Sequence, residues 1–237
     1  MALQERVWGR ATVTQAEIDV GLRRHMLQVY NYMASGVLLT GIVALLVASS
    51  PAAMQAIFGT PLKWVVMLSP LAFVLVLSFG IHRLSATATQ ALFWLFAAVM
   101  GLSMATIFVV FTGESVARVF FITAGTFAAM SLYGYTTKAD LSKFGSFLLM
   151  GLIGIVLAGL VNIFLQSSAL QFAISAIGVL VFVGLTAYDT QRIKEMYLES
   201  LGDEVLSKQA VMGALSLYLD FINLFTMLLQ LIGVKRD

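Results

Sequence analysis

One acidic residue, Asp220, lies in the middle of an otherwise apolar stretch, LYLDFINLF (217–225). The apolar run around it, from Val211 to Gly233, contains no other charged side chain. An aspartate at the centre of a membrane-spanning helix costs about 2.5–3.5 kcal/mol on insertion scales, and such residues usually mark ion or proton pathways. The alternative is a structural carboxylate satisfied by hydroxyl groups or an arginine. We therefore predict that Asp220 belongs to an ion or proton site.

A second acidic residue, Asp189, lies at the end of the preceding apolar run, in the segment FVGLTAYDTQRIK (182–194). Thr186 and Thr190 are close enough in sequence to donate hydrogen bonds to its carboxylate. Arg83, in the segment FGIHRLS (79–85), is predicted at the same membrane face. Its guanidinium could pair with Asp189 and latch the bundle, although an ordinary anchor at the membrane surface is the alternative.

Helical spacing predicts that Asp220 faces the inside of a bundle. Small and polar residues recur at steps of three and four, which places them on one helix face: Gly213, Ser216, Asp220, Asn223, Met227 and Gln230. Such a stripe is typical of a helix–helix interface in a membrane. Plain packing is the favoured role for Gly213 and Ser216, while Asn223 either forms an interhelical hydrogen bond or helps to bind whatever Asp220 holds.

The composition indicates what kind of protein positions these acids. Of the 237 residues, 60% are hydrophobic and only 11% are charged, whereas soluble domains are about half apolar and a quarter charged. The net charge of +2 gives no indication of nucleic-acid binding. The absence of cysteine excludes disulfides, thiolate metal sites and thiol catalysis. We therefore predict a polytopic membrane protein without a tightly bound cofactor.

Seven apolar runs are long enough to cross a bilayer as helices, which needs about 20 residues each. They cover residues 27–49, 62–81, 88–111, 116–137, 144–165, 168–190 and 209–232. The pattern predicts an all-α bundle of seven transmembrane helices (26–234), preceded by a partly helical arm (1–25). Ten of the twelve acidic residues fall in arms, loops or the tail, so only Asp189 and Asp220 belong to membrane helices.

The distribution of basic residues predicts the orientation, because cytoplasmic loops are enriched in Lys and Arg. With the N-terminus inside, the cytoplasmic set is Arg6, Arg10, Arg23, Arg24, Arg83, Lys138, Lys143, Arg192, Lys194 and Lys208. The outer set is Lys63, Arg118, Lys235 and Arg236. We therefore expect a cytoplasmic N-terminus and an outer C-terminus.

Two of these segments, AYDTQRIK (187–194) and ALSLYLDFINLFTMLLQLIG (214–233), resemble the transmembrane Bax inhibitor motif family. The seven-span layout extends the resemblance over nearly the whole chain after the arm. It implies a bacterial inner-membrane protein in which Asp189 and Asp220 form a pH-sensitive pair and Arg83 is the latching arginine. It also implies a calcium leak channel, and some relatives are linked to a membrane-bound protease.

The chemistry of paired carboxylates fits that implication. Two carboxylates close together in a low-dielectric site cannot both ionise cheaply, so they titrate as a pair. Calcium prefers six to eight oxygens, so Asp189 and Asp220, helped by Asn223 and water, would bind it only weakly, as permeation requires. One difficulty is the predicted offset: with Ser168 and Gly233 at the same level, Asp220 lies about 12 Å deeper than Asp189.

Two other functions stay open from the sequence. An intramembrane aspartyl protease would also use two aspartates that share a proton. However, Leu217 and Leu219 occupy the places of the glycines in the Gly-x-Gly-Asp motif of such enzymes, so we expect no enzyme. A non-conducting regulator that binds a membrane protease or another membrane protein would use the arm and the 191–208 segment. The oligomeric state is left open.

Overall fold

Nine helices make up the part of the chain that the computed structural model describes, residues 2–198 and 202–236, with side chains described from Val20 onward. They are α1 (Ala2–Ala48), α2 (Pro51–Phe58), α3 (Leu62–Gly80), α4 (Ala86–Met104), α5 (Ile107–Val110), α6 (Gly113–Thr136), α7 (Ser142–Leu165), α8 (Ser168–Glu195) and α9 (Asp203–Ile232).

Seven segments in the described chain are long and apolar enough to cross a membrane, which confirms the predicted all-α, seven-span bundle. The first of them lies within α1 and ends at Ala48, and the third runs through α4 and α5 to Val110. The last two are longer than predicted, because α8 continues to Glu195 and α9 already begins at Asp203. Part of the predicted polar loop is therefore helical.

The N-terminal arm does not form a separate element. We expected it to be only partly helical, but α1 begins at Ala2 and continues without interruption into the first membrane span. The division between arm and bundle at residue 25 stays a prediction, since the backbone shows no break there.

Polar N-cap residues mark where several helices begin. In each case a hydroxyl oxygen accepts the backbone N–H three residues later, one of the donors that a helix start leaves without an intrahelical partner. These caps are Ser50, Ser85, Thr112 and Ser167, at the starts of α2, α4, α6 and α8. The helix that carries Asp189 is thus defined at its start by Ser167.

The helix that carries Asp220 is the central one. α9 packs against α1, α4, α6 and α8. Half of the residues in its most apolar stretch are buried, whereas only 17% are buried in the corresponding stretches of α3 and α7. α3 packs mainly on α4, and α7 packs on α8, so both lie at the periphery. A side chain on α9 is therefore surrounded by protein on most sides, which is why its small and polar stripe is tolerated.

The short segment after α9 ties the end of the chain to the start of α6. The Thr112 amide donates to the Val234 carbonyl (3.0 Å), and the Arg236 amide donates to the Val110 carbonyl (2.9 Å), which forms an antiparallel bridge. The Ser115 hydroxyl also accepts the Val234 amide at 2.8 Å. These bonds fix this end of the central helix.

Candidate ion and proton site

The register between α8 and α9 brings the two aspartates near one another. A Cβ built on Gly213 would lie 3.1 Å from Ile193, and one built on Gly178 would lie 3.0 Å from Met227. The two helices are thus antiparallel. Residue 193 of α8 is level with residue 213 of α9, and residue 178 is level with residue 227. Asp220 consequently lies level with residues 185–186, only three to four residues from Asp189, or about 5 Å along the axis.

The predicted offset of about 12 Å is therefore wrong. It assumed that Ser168 and Gly233 lie at the same level, whereas the contacts at Gly213 and Gly178 show a register that differs by about one helical turn. At both positions glycine leaves room for a side chain of the neighbouring helix, Ile193 or Met227.

Asp220 is buried in the interior, with 4% of its surface exposed. Its Oδ2 atom is buried and has no hydrogen-bond partner among residues 2–198 and 202–236. An ionised carboxylate without a partner is costly in such a place. The oxygen is thus positioned to take a proton or a cation.

Asp189 is half-buried and lines a cavity of about 450 Å³ at one end of the bundle. Basic side chains dominate the rest of the polar lining, with contributions from His25, His82, Arg192 and Lys208. Ser216, one turn before Asp220 on α9, also lines this cavity. Water and ions can therefore reach Asp189 through this cavity, whereas Asp220 does not belong to its lining.

The two predicted threonine donors bond elsewhere in this arrangement. The Thr186 hydroxyl donates to the Phe182 carbonyl and the Thr190 hydroxyl donates to the Thr186 carbonyl, both at 2.7 Å. A hydroxyl has one proton, so neither proton is left for Asp189. Bonding to the carbonyl one turn earlier is common for Thr in helices. Hydrogen bonds from Thr186 and Thr190 to the Asp189 carboxylate are therefore not formed in this structure, and this role stays a prediction.

Arg83 lies at the same end of the bundle but is exposed. The ion pairs of the described side chains are Arg118–Glu114 (3.1 Å) and Lys208–Glu204 (3.5 Å), so the Arg83–Asp189 pair is not formed here. Its neighbour His82, and not Arg83, lines the cavity. The latch therefore stays a prediction.

Of the two supporting residues predicted on α9, only Ser216 lines the same cavity as Asp189. By the same register it lies level with Asp189 and one helical turn from Asp220. The Asn223 side chain instead donates to the Leu219 carbonyl of its own helix at 2.8 Å. Spacing alone put both on one face and could not tell which would reach the cavity.

A cluster of buried aromatic rings includes Tyr218, two residues before Asp220 on α9. Tyr218 is fully buried and packs edge-on against Phe93 (6.1 Å between ring centroids) and Phe96 (5.3 Å). Its hydroxyl bonds to Thr40 Oγ1 at 2.6 Å, and the Thr40 hydroxyl donates to the Ala97 carbonyl at 2.8 Å. We call Phe93, Phe96 and Tyr218 the aromatic cluster. Its members come from α4 and α9, so no pattern within one helix could predict it.

A second cavity, of about 540 Å³, lies towards the opposite end of the bundle. Its lining is mostly apolar, with Thr40 and Arg236 among the few polar members. Thr40 thus joins this cavity to the aromatic cluster. The two cavities share no lining residue.

The donor set limits how tightly a cation could bind. The described side chains contain no group of three or more His, Asp or Glu residues arranged to hold a metal ion. The site offers the two carboxylates and the Ser216 hydroxyl, well short of the six to eight oxygens that calcium prefers. A calcium ion here would keep part of its water shell and bind weakly.

The fold and the site together define a polytopic helical membrane protein whose central helix buries an acid next to a second acid that borders a polar cavity. The profile of the family described as "Inhibitor of apoptosis-promoting Bax1" matches residues 22–237. The chain therefore belongs to this Bax inhibitor family, as the resemblance predicted.

Relatives from several bacteria match nearly the whole chain. The inner membrane protein YbhL of Escherichia coli (strain K12) is 52% identical over 219 residues, which covers 91% of this chain and 94% of YbhL. The RP147 protein of Rickettsia prowazekii is 48% identical over 219 residues, covering 92% of this chain and 93% of RP147. A protein of Caulobacter vibrioides is 45% identical over 230 residues, which covers 93% of this chain and 92% of that protein.

Proposed function

We propose that the protein is a pH-modulated calcium leak channel of the bacterial inner membrane. The observation that supports it best is the buried Oδ2 atom of Asp220, one turn beyond a water-accessible cavity that Asp189 lines. The name of the relative YbhL supports the inner-membrane location. The ten-to-four distribution of basic residues supports a cytoplasmic N-terminus, and with that orientation the cavity that Asp189 lines opens to the cytoplasm.

Protons modulate the leak through the pair of aspartates. When Asp189 and Asp220 share a proton, α8 and α9 stay together and the interior is closed. Loss of that proton adds charge repulsion between the two carboxylates and makes them a better ligand for a hard cation. The charged and titratable groups that face the pair across the cavity are Arg192, Lys208, His25 and His82, and they set the pH range.

The ion passes from the polar cavity to the apolar one when the packing around the aromatic cluster loosens. Weak binding by two carboxylates and a hydroxyl lets the ion leave again, which conduction requires. In the closed arrangement, Tyr218 and its ring partners Phe93 and Phe96 block the route. The leak is therefore slow, since it depends on a rare separation of packed helices.

Calcium flux into proteoliposomes that contain an indicator tests this function. Asp220→Asn keeps the shape of the side chain but removes its charge, and we expect the flux to fall at least tenfold. Asp203→Asn is the matched control, because Asp203 is an exposed acid at the start of the same helix. Equal flux in wild type and Asp220→Asn would exclude Asp220 from the pathway.

A non-conducting regulator is the second candidate, and one contact favours it. Tyr197, in the 191–208 segment, packs on His25 in the middle of α1, with 5.3 Å between ring centroids. The residues around Tyr197 and His25 thus form one surface to which a membrane protease could bind. Two results together would favour this function over the leak: wild-type protein that carries no calcium, and a photoreactive residue in place of the exposed Leu198 that crosslinks to a membrane protein in cells.

A further inference from the structure

Helices α1 and α6 leave an apolar crevice between them on the side of the bundle. α1 packs on α4 and α9, and α6 packs on α8 and α9. The cavity between α1 and α6 is about 620 Å³, and we call it the α1–α6 crevice; its lining includes Arg23, Met26, Tyr30, Met33, Phe127 and Tyr135. Leu27 and Leu132, also in its lining, are 53% and 63% exposed, so the crevice opens sideways to the membrane.

The dimensions of the crevice match one leaflet of a bilayer. Along α1 its lining extends from Arg23 to Ala34, which is about 16 Å at 1.5 Å per residue. This is about half of the roughly 30 Å hydrocarbon core of a membrane. The apolar lining is thus long enough for a lipid chain that enters from one membrane face.

The end of the crevice at that face is positively charged. Arg23 belongs to the lining itself. Lys194 donates to the Tyr135 carbonyl at 2.8 Å, and its Nζ atom lies 5.6 Å from the centroid of the Tyr135 ring, which also lines the crevice. Within the described part of the chain, the crevice lining includes no carboxylate. Arginine is well suited to a phosphate because its guanidinium offers several donors in one plane.

We propose that the α1–α6 crevice binds one anionic phospholipid, with an acyl chain along Met26, Met33 and Phe127 and the phosphate at Arg23. Basic pockets between transmembrane helices are a known kind of site for anionic headgroups. The lipid would fill a gap that the protein's own side chains leave open and would hold α1 next to α6. This binding is independent of the proposed leak.

The bound chain would also lie against a buried line of hydroxyl groups. The Tyr30 hydroxyl, in the crevice lining, bonds to Ser131 at 2.7 Å, and Ser131 bonds to Thr190 at 2.9 Å. Because the Thr190 proton goes to the Thr186 carbonyl, Ser131 donates to Thr190 and Tyr30 donates to Ser131. This chain of hydrogen bonds runs from α1 through α6 to α8 and links the crevice to Thr190, the residue next to Asp189.

Native mass spectrometry of the purified protein tests the proposal with two lipids of identical chains, phosphatidylglycerol and phosphatidylcholine, at equal concentration. Wild type should retain one phosphatidylglycerol in preference to phosphatidylcholine. Arg23→Gln should lower that preference about tenfold, as expected for a charge-assisted contact. Ala128→Phe, which places a ring in the crevice from an exposed position on α6, should reduce retention of both lipids.

Arg118→Gln is the matched control, because Arg118 is an exposed arginine at the other end of α6 and outside the crevice. This substitution should leave the retention of both lipids unchanged. Equal retention of the two lipids by wild type, or an unchanged preference in Arg23→Gln, would overturn the proposal. A lipid-free dimer that Ala128→Phe dissociates would also overturn it, since a second copy would then cover the crevice.

Discussion

Replacing Tyr218 by Phe tests whether the aromatic cluster holds the protein closed. The Thr40 hydroxyl donates its only proton to the Ala97 carbonyl. The Tyr218 hydroxyl must therefore be the donor in the 2.6 Å hydrogen bond between Tyr218 and Thr40. Tyr218→Phe removes that one donor and keeps the ring in contact with Phe93 and Phe96. No buried donor is left without an acceptor.

The size of the effect follows from this single bond. A buried hydrogen bond between neutral groups contributes about 1 kcal/mol, and it joins α1 to α9 only while the cluster is packed. A closed state weakened by about 1 kcal/mol corresponds to about a fivefold larger open population. We therefore expect a leak about fivefold faster than that of wild type, if α1 and α9 separate at Thr40 when the route opens.

The assay is the initial rate of calcium entry into proteoliposomes at matched protein density. Tyr133→Phe is the control, because Tyr133 is 48% exposed on α6 and lies outside the cluster. An unchanged or slower rate in Tyr218→Phe, with normal folding by circular dichroism, would refute the idea that this bond holds the route closed.

Two further predictions concern the fold and an exposed acid. A Cβ on Gly134 would overlap the backbone carbonyl of Ala187, so Gly134→Ala should lower the free energy of unfolding by about 3 kcal/mol. Gly125→Ala, on the same helix with open space around it, should leave the thermal unfolding temperature unchanged or slightly higher, because Ala is the better helix former. Equal losses in the two variants would contradict the observed contact between α6 and α8. The Ser142 hydroxyl and amide donate to the Asp140 carboxylate and hold its pKa below the usual value of 3.8. Ser142→Ala removes the hydroxyl and should therefore raise the pKa of Asp140, as measured by NMR titration. An unchanged titration would show that the hydroxyl bond is not formed.

The sequence predicted the span count and the inward face of Asp220 because both depend on patterns within one helix. Apolar runs of about 20 residues mark membrane spans, and steps of three and four place Asp220 on the same face as Ser216. The inward position is confirmed by the burial of Asp220.

The features that needed contact between distant segments could not be predicted. The level of Asp220 relative to Asp189 depends on the close approaches at Gly178 and Gly213, and neither glycine reveals its partner in the sequence. The bond between Thr40 and Tyr218 joins residues 178 positions apart. Such pairings depend on tertiary packing, which local patterns do not contain.

The pH dependence of calcium flux tests the central claim, that Asp189 and Asp220 act as one proton-controlled ion site. The account predicts that flux through wild type rises with pH, and that Asp189→Asn and Asp220→Asn each lower it and abolish its pH dependence. The exposed Glu195 on α8 provides the control Glu195→Gln, which should behave like wild type. A pH profile that is the same in wild type and in both aspartate variants would contradict the account.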